Sequence, residues 1–303
     1  MAILVFDIGG THIRTALFEI PGQTVLSRQI RWSDLGKPLP VLALIDYVRT
    51  QVQQAHRFAS VEAIGVSIAA IVDPRDGSIK VSENVGWENI PLKEILEREI
   101  GLPVVVDTDA FCGAEAELRL GSARGQECAL YIVIGTGIGH ALILNGHVWR
   151  GAHNAANVFG HLKVRPNGEP CYCGGRGCVC QYASGEGIAR LGRRILGDLH
   201  PEIRTEEVIA AYHRAEQWAN QVLTQAHESL AYALSSLYNL LDVECVIISG
   251  GITTAGFPNL DMLRSMTESF VHSQIRPITL RYATFRQDAE LLGAGLLAME
   301  KTK

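Results

Sequence analysis

The sequence predicts an α/β protein of two domains, built around a strand–turn–strand unit that occurs twice. Three observations predict it. Continuous apolar runs of strand length alternate with amphipathic helical stretches through most of the 303 residues. A pattern of apolar strand, Gly/Thr turn and apolar strand near the N-terminus returns in mid-chain. The length suits two domains or one large one, and with 47% apolar against 19% charged residues a large core is available. The net charge of −5 argues against a nucleic-acid binder, which needs a basic surface. It leaves nucleotide binding open, because backbone amides and Mg²⁺ neutralise phosphates locally. No apolar run has the length of a membrane span, and the chain enters a strand at Ala2 with no basic leader. A cytoplasmic protein with neither a nucleic-acid nor a membrane partner is expected.

Residues 2–6 form a buried strand that ends in Asp7-Ile8-Gly9-Gly10-Thr11-His12, and residues 15–18 resume as a strand. In such a hairpin the two glycines expose backbone N–H groups and Thr11 adds a hydroxyl, a set able to wrap phosphate oxygens. Asp7, at the strand end, is placed to hold a metal-bound water. An ordinary Gly-Gly hairpin with a turn-stabilising Asp is the plainer alternative. Neither a Walker A loop nor a Rossmann fingerprint is present.

Residues 39–55 read as an amphipathic helix with Leu42, Ile45, Val48 and Val52 near one face. Residues 61–69 are a strand, 82–92 a loop with an exposed Trp87, 92–99 a helix starting at Pro91, and 103–106 another strand. Asp109 follows that strand and opens a small-residue helix, where the positive helix end favours its ionised form. A carboxylate there can accept a proton from a substrate hydroxyl, or it can be a plain N-cap. Residues 129–134, Gly135-Thr136-Gly137-Ile138-Gly139 and residues 141–144 repeat the first hairpin. The repeat suggests a duplicated domain whose two turns face one another, and strengthens the phosphate reading of both.

Further on, helices are expected at 184–196, 205–212 and 218–241. The last carries a core stripe of Leu223, Ala226, Leu230, Leu234, Leu237 and Leu241. Strand 245–248 leads to Ser249-Gly250-Gly251, a glycine pair that lets a flat ring approach the backbone. Strand 278–283 and a closing helix at 289–299, with Gly293 and Gly295 for close packing, complete the chain.

The most specific signal lies between. Gly160-His161 is followed by Cys171-Tyr172-Cys173-Gly174-Gly175-Arg176-Gly177-Cys178. His161, Cys171, Cys173 and Cys178 make a Cys₃His set, a usual complement for a closed tetrahedral zinc site. Thiols clustered this way without a secretory leader more often mean metal than disulfide. A reduced, metal-free loop is the alternative.

A Gly-His pair followed by CxCGxxGC resembles the zinc motif of the ROK family (repressors, open reading frames and kinases), and the order of the other motifs is similar over essentially the whole chain. The resemblance implies the actin-like, ribonuclease-H-like duplicated fold, with two α/β domains flanking a cleft. It implies a domain of residues 1–115, onto which the closing helix at about 289–303 packs back, and a larger one of 116–288 that carries the zinc loop. By the same resemblance the protein is an ATP-dependent sugar kinase. Asp7, Gly9, Gly10, Thr11 and His12, with Gly135, Thr136, Gly137 and Gly139, hold the nucleotide phosphates, and Gly250 and Gly251 line the adenosine pocket. Asp109 matches the catalytic base. Asn84, Gly86, Thr108, Asp109 and His161 contact the sugar, and His161 also ligates a structural Zn²⁺ with Cys171, Cys173 and Cys178. ATP, Mg²⁺, a small-molecule sugar and a homodimer complete the implied set. Family repressors carry an N-terminal DNA-binding module; here the first strand begins at Ala2, which argues against a repressor.

Departures cluster at the sugar. The family's Gly-Glu-x-Gly-His is Asn157-Val158-Phe159-Gly160-His161, its Gly-Cys-x-Glu is Gly177-Cys178-Val179-Cys180, its Asn-Asp is Thr108-Asp109, and its Pro-Gly is Ala69-Ala70. Two carboxylates that would accept hydroxyl hydrogen bonds are therefore missing, each worth ~1.5–3 kcal/mol. Gly10-Thr11-His12-Ile13-Arg14 and Asn145 to His153 resemble allose kinases more than glucokinases, although allose kinases keep the Glu that Val158 replaces; an N-acetylated sugar also fits. Cys180 is an alternative fourth thiolate for the zinc. A catalytically weak sugar- or nucleotide-binding protein on the same fold is the second reading.

Overall fold

The computed structural model describes residues 2–20, 23–197 and 201–302. Two compact units divide the chain, one of Met1–Arg124, Arg150–Asn157 and Asp288–Lys303, the other of Gly125–Trp149 and Val158–Gln287.

The first unit is built on a five-stranded sheet. Strands β1 (Ala2–Ile8), β2 (His12–Ile20) and β3 (Gln23–Arg31) form an antiparallel meander, and β4 (Val61–Ile68) and β8 (Val104–Thr108) add in parallel to give the order β3-β2-β1-β4-β8. Alternation along β1 sends Leu4 and Phe6 to one face and Ile3 and Val5 to the other. The first face packs with Leu44, Ile45 and Val48 of α1 (Val41–Ala55) and Leu92 and Leu96 of α2 (Leu92–Ile100). The second packs with Cys112 of α3 (Asp109–Leu120) and Leu291, Ala294 and Ala298 of α9 (Ala289–Lys301). Helix α9 approaches α3 closely because residue 293 has no side chain: a Cβ there would run into the Cys112 carbonyl. A small antiparallel sheet of β5 (Ile71–Asp73), β6 (Ser78–Ser82) and β7 (Trp87–Ile90) completes this unit.

The second unit repeats the plan. Its sheet runs β11-β10-β9-β12-β13, with β9 (Cys128–Ile134), β10 (Ile138–Leu144) and β11 (His147–Trp149) antiparallel and β12 (Cys245–Ser249) and β13 (Leu280–Tyr282) parallel to β9. Position by position this is the order of the first sheet, and the duplication expected from the two hairpins is present. Helices α4 (Cys180–Ala183), α5 (Gly185–Leu196), α6 (Thr205–His213), α7 (Gln217–Leu241) and α8 (Leu260–Phe270) enclose a core that includes Leu130, Ile132, Val222, Leu230 and Leu234.

Several expectations need correction. A boundary between 115 and 116 would cut α3, which continues to Leu120; the chain through Arg124 and the return of Arg150–Asn157 lie with the first unit. Trp87 is buried, not exposed, because its indole N–H donates to the Leu39 carbonyl at 2.6 Å. Helix α1 starts two residues later than read and turns Leu44, not Leu42, inward; Leu42 is 75% exposed. Strands β3, β5, β6, β7 and β11 do not stand out in the sequence, since they are short or lie at a sheet edge; helix α8, whose Leu263 is buried, is also not anticipated. The closing helix extends to Lys301, and Lys303 lies outside the described residues.

Candidate active site and Cys/His cluster

In the first unit, strand register sets three polar side chains abreast. Asp7 on β1 stands opposite Arg14 on β2 and Ser67 on β4. The Asp7 carboxylate is buried; its Oδ2 accepts from Arg14 Nη2 at 2.7 Å and Nε at 3.0 Å, and its Oδ1 accepts from Ser67 Oγ at 2.9 Å. Arg14 also meets Glu290 at 3.4 Å and Asp288 at 3.5 Å, beside the start of α9. Burial works against the Arg14 charge, but Asp7, Glu290 and Asp288 more than offset it, and the guanidinium is held still more firmly protonated than usual. Beyond Asp7 the turn closes with Gly9 N–H donating to the His12 carbonyl at 3.0 Å, which leaves Gly9, Gly10 and His12 partly buried and Thr11 exposed.

Asp109 stands at the first position of α3, with Thr108 as the N-cap, so the expected plain N-cap is one residue earlier. Its Oδ1 accepts from the Ala110 N–H at 2.7 Å. Burial first, and the nearby Asp7 charge second, push the Asp109 carboxyl up to about 7. A helix N-terminus alone would hold it low, and burial with a like charge wins.

The β8–α3 corner that carries Asp109 is pinned from both sides. Thr108 Oγ1 donates to the Ala70 carbonyl at 3.0 Å, and Asn157 Nδ2 reaches the same carbonyl at 3.4 Å. Asp107 is gripped by both terminal nitrogens of Arg150, at 2.7 and 2.5 Å, and the guanidinium lies 4.9 Å over the Phe111 ring. Asn84 is exposed, and Gly86 takes a φ of +76° against Pro38.

In the second unit, the β9–β10 turn closes with Gly135 N–H donating to the Gly137 carbonyl at 3.0 Å. Helix α5 secures it from behind: the Gly185 and Glu186 N–H groups donate to the carbonyls of Gly135 and Thr136 at 2.8 and 3.3 Å. Thr136 and Gly137 are exposed, and Gly139 sits in β10 opposite Val133. Gly250 follows β12 with a φ of +106°, backed against Ile134, while Gly251 faces open space.

The Cys/His cluster is local to the second unit. The ligand atoms of His161, Cys171, Cys173 and Cys178 lie within 4.8 Å of one another. Cys171 Sγ is 3.5 Å from His161 Nδ1, and the Cys173 and Cys178 sulfurs are 3.6 Å apart. All seven cysteines are free thiols. The last two separations match the edges, about 3.5–3.8 Å, of a tetrahedron with zinc–sulfur and zinc–nitrogen arms, and a disulfide would need sulfurs at about 2 Å. Three thiolates and one imidazole around a dication carry one net negative charge, and Lys163 Nζ stands 2.8 Å from Cys178 Sγ to balance it. The donor set fits zinc.

Sequence reading singles out Asp7, Asp109, both turns and the cluster as candidates. It does not find Ser67, Glu290, Arg150 or Lys163, and it sees Arg14 only as a letter in a motif. Arg14 was within reach: counted on from the Gly-Gly turn, it is the residue across the ladder from Asp7.

Comparison with known proteins bears on this geometry. The ROK family model matches residues 3–301. A glucokinase of Halalkalibacterium halodurans is 30% identical over 311 residues, covering 97% of this chain and 94% of the relative. An N-acetyl-D-glucosamine kinase of Photobacterium profundum is 28% identical over 261 residues, 82% of this chain and 83% of the relative. The crystal structure of a ROK family glucokinase from Streptomyces griseus, in complex with glucose and AMPPNP, superposes with a TM-score of 0.87 at 28% identity over 99% of this chain and 100% of that one. The fold is therefore the actin-like one of the ROK glucokinases. No helix among the described residues is long and apolar enough to cross a membrane. The chain belongs to the ROK family.

Proposed function

We propose that this chain transfers the γ-phosphoryl group of ATP to a hydroxyl of a hexose or hexose derivative, with Asp109 as the general base. The kinase relatives support ATP-dependent sugar phosphorylation. The observation that carries the assignment of the base is the placement of Asp109 at the first position of α3, its Oδ1 held by the Ala110 N–H; burial and the Asp7 charge raise this carboxyl to about 7, which suits a base working near neutral pH. Phosphoryl transfer asks mainly for positioning, charge neutralisation and such a base. Gly9, Gly10, Thr11 and His12 in the first unit, and Gly135, Thr136, Gly137 and Gly139 in the second, are assigned to the phosphates. Gly250 and Gly251 are assigned to the adenosine. Mg²⁺ entering with the nucleotide neutralises the phosphate oxygens, and Asp7, fixed by Arg14 and Ser67, is the residue to hold one of its waters. Asn84, Gly86, Thr108 and His161 are assigned to the sugar. Zinc on His161, Cys171, Cys173 and Cys178 fixes the loop, so that its effect on the sugar is one of orientation. The protein so read is cytoplasmic and acts as a homodimer.

The sugar itself is not an ordinary glucose on this reading. Val158 and Cys180 stand where the resembled family motif has Glu, so neither position offers a carboxylate; Val158 is 47% exposed and Cys180 lies buried beside Cys171. An N-acetylated hexose, with fewer hydroxyls to satisfy, suits the change. ADP release measured over glucose, allose, N-acetylglucosamine and N-acetylmannosamine tests this. Turnover on at least one sugar, lost in Asp109→Asn, supports the reading; full activity in that variant removes Asp109 as base.

The same two missing carboxylates favour a second reading, a sugar- or nucleotide-binding protein of little catalytic power. Calorimetric sugar binding without ADP release from any sugar is its signature.

A further inference from the structure

We propose that Cys180 is a reserve zinc ligand able to replace His161, so that the site can pass from three thiolates and an imidazole to four thiolates. This rests on the zinc reading above and adds to it a donor that the family motif does not contain.

The sequence around the cluster holds two Cys-x-Cys pairs, Cys171/Cys173 and Cys178/Cys180, arranged as mirror images across the turn Gly174 to Gly177. Antiparallel bridges between Pro170 and Arg176 and between Lys163 and Cys178 fold the pairs onto one another. Cys180 is 3% exposed, yet its sulfur does not face only apolar packing. It lies 3.8 Å from Cys171 Sγ and 3.9 Å from His161 Nδ1, and Gln181 Nε2 stands 3.7 Å from it and 3.4 Å from Cys171 Sγ. The first two distances lie close to the edges of a tetrahedral site, so Cys180 stands beside the four clustered donors on their Cys171 and His161 side, one short shift from joining them. A buried cysteine that served only as a small apolar filler would gain nothing from aiming at the two ligands.

Exchange of His161 for Cys180 adds one thiolate charge to the site. The ammonium of Lys163, 2.8 and 3.6 Å from the Cys178 and Cys173 sulfurs, and the Gln181 amide are the donors that offset it. The loop stays tied to the ion in both states, while the His161 ring is released in one of them. His161 packs edge-on against Tyr172 at 5.0 Å, a contact that does not require the metal.

Cobalt(II) in place of zinc tests this, because thiolate-to-cobalt absorption grows with the number of bound thiolates. Wild type, His161→Ala, His161→Phe, Cys180→Ala and the double variant His161→Ala/Cys180→Ala are titrated with cobalt and then with competing zinc. We expect wild type and Cys180→Ala to bind about one cobalt per chain. Both His161 variants should keep it, with charge-transfer absorption about a third stronger per cobalt than in Cys180→Ala, and the double variant should bind at least roughly tenfold more weakly than either. His161→Phe preserves the ring against Tyr172, so that a packing defect in the alanine variant is recognised as such. His161 variants that bind as weakly as the double variant overturn the reserve role of Cys180 and leave the Cys₃His zinc reading standing. Wild type that binds no cobalt overturns both.

Discussion

The two hairpins share a backbone plan and differ in what stands behind it. In β1–β2, four residues separate the last paired positions Ile8 and Ile13; in β9–β10, three separate Ile134 and Ile138. Two residues before the first glycine of each turn, the first hairpin has Asp7 facing Arg14, and the second has Val133 facing Gly139. The first turn is backed by a buried carboxylate–guanidinium pair, the second by two N–H groups at the start of α5. Duplication kept the sheet order and let the side chains diverge, so that the first hairpin carries a charged pair at this position and the second an uncharged one.

The sharpest test of this contrast is Asp109→Asn. As the general base its loss should lower kcat by ~10²–10⁴-fold with the sugar KM far less changed, read by coupled ADP release. In wild type, kcat/KM should rise with pH through about 7 as Asp109 ionises. Asp7→Asn removes the second cause of the raised value and should move that limb to lower pH, whatever it does to the rate. The sign for stability is opposite to that of an ion-paired acid. Between the ordinary carboxylate range and about 7 the native protein holds a proton that the unfolded chain has released, so stability falls as pH rises across that window. The loss is on the order of 2–4 kcal/mol. Asp109→Asn should abolish this slope and be more stable than wild type at pH 8 by thermal unfolding. An unchanged slope would mean that Asp109 ionises as an ordinary surface acid.

Next is Arg14→Ala. Asp7 and Glu290 are both buried and would lose their cationic partner, a change that costs ~3–5 kcal/mol for fully buried pairs and about 3 kcal/mol here, where Arg14 is one-fifth exposed. Chemical denaturation at pH 7 should show the loss as a lowered midpoint with the slope unchanged. The second hairpin has no such charged pair among its described residues, since Gly139 stands opposite Val133, so Gly139→Ala should not reproduce this loss.

How far this contrast could be read in advance depends on the type of signal. Both hairpins, the strand–Asp109 junction and the Cys/His spacing are legible because each is local: a few residues in sequence fix both the backbone and the chemistry. The partners of Asp7 are not. Ser67 comes from a parallel strand 60 residues away and Glu290 from a helix near the chain end, and register across non-adjacent segments has no local signature. Asp107 likewise shows no sign of Arg150, 43 residues on, which becomes a neighbour only because residues 150–157 return to the first unit. Trp87 misleads for the same reason: its loop looks polar, and the carbonyl that receives its indole N–H belongs to Leu39.

A third test falls on the second unit. Gly250 carries a φ of +106°, and a Cβ there would collide with the Ile134 carbonyl at the end of β9. Gly250→Ala combines backbone strain with displacement of the strand that leads into the second turn, and should destabilise by ~2–3 kcal/mol. Its neighbour Gly251 meets nothing within 4 Å, so Gly251→Ala should be near neutral in stability.

The smallest effect is the most discriminating. At Gly137 a Cβ would also meet nothing within 4 Å, and its φ is not left-handed, so alanine there introduces no strain and restricts the unfolded chain, a change worth ~0.4–1 kcal/mol in favour of the folded protein. If the second turn is a phosphate cradle, the added methyl stands where phosphate oxygens approach, and Gly137→Ala should raise the KM for ATP while leaving the sugar KM nearly untouched and the thermal midpoint slightly raised. The equivalent change in a hairpin that merely joins two strands would move neither KM. Stability and nucleotide affinity thus part company at this one residue if the uncharged hairpin binds the nucleotide, and stay together if it does not.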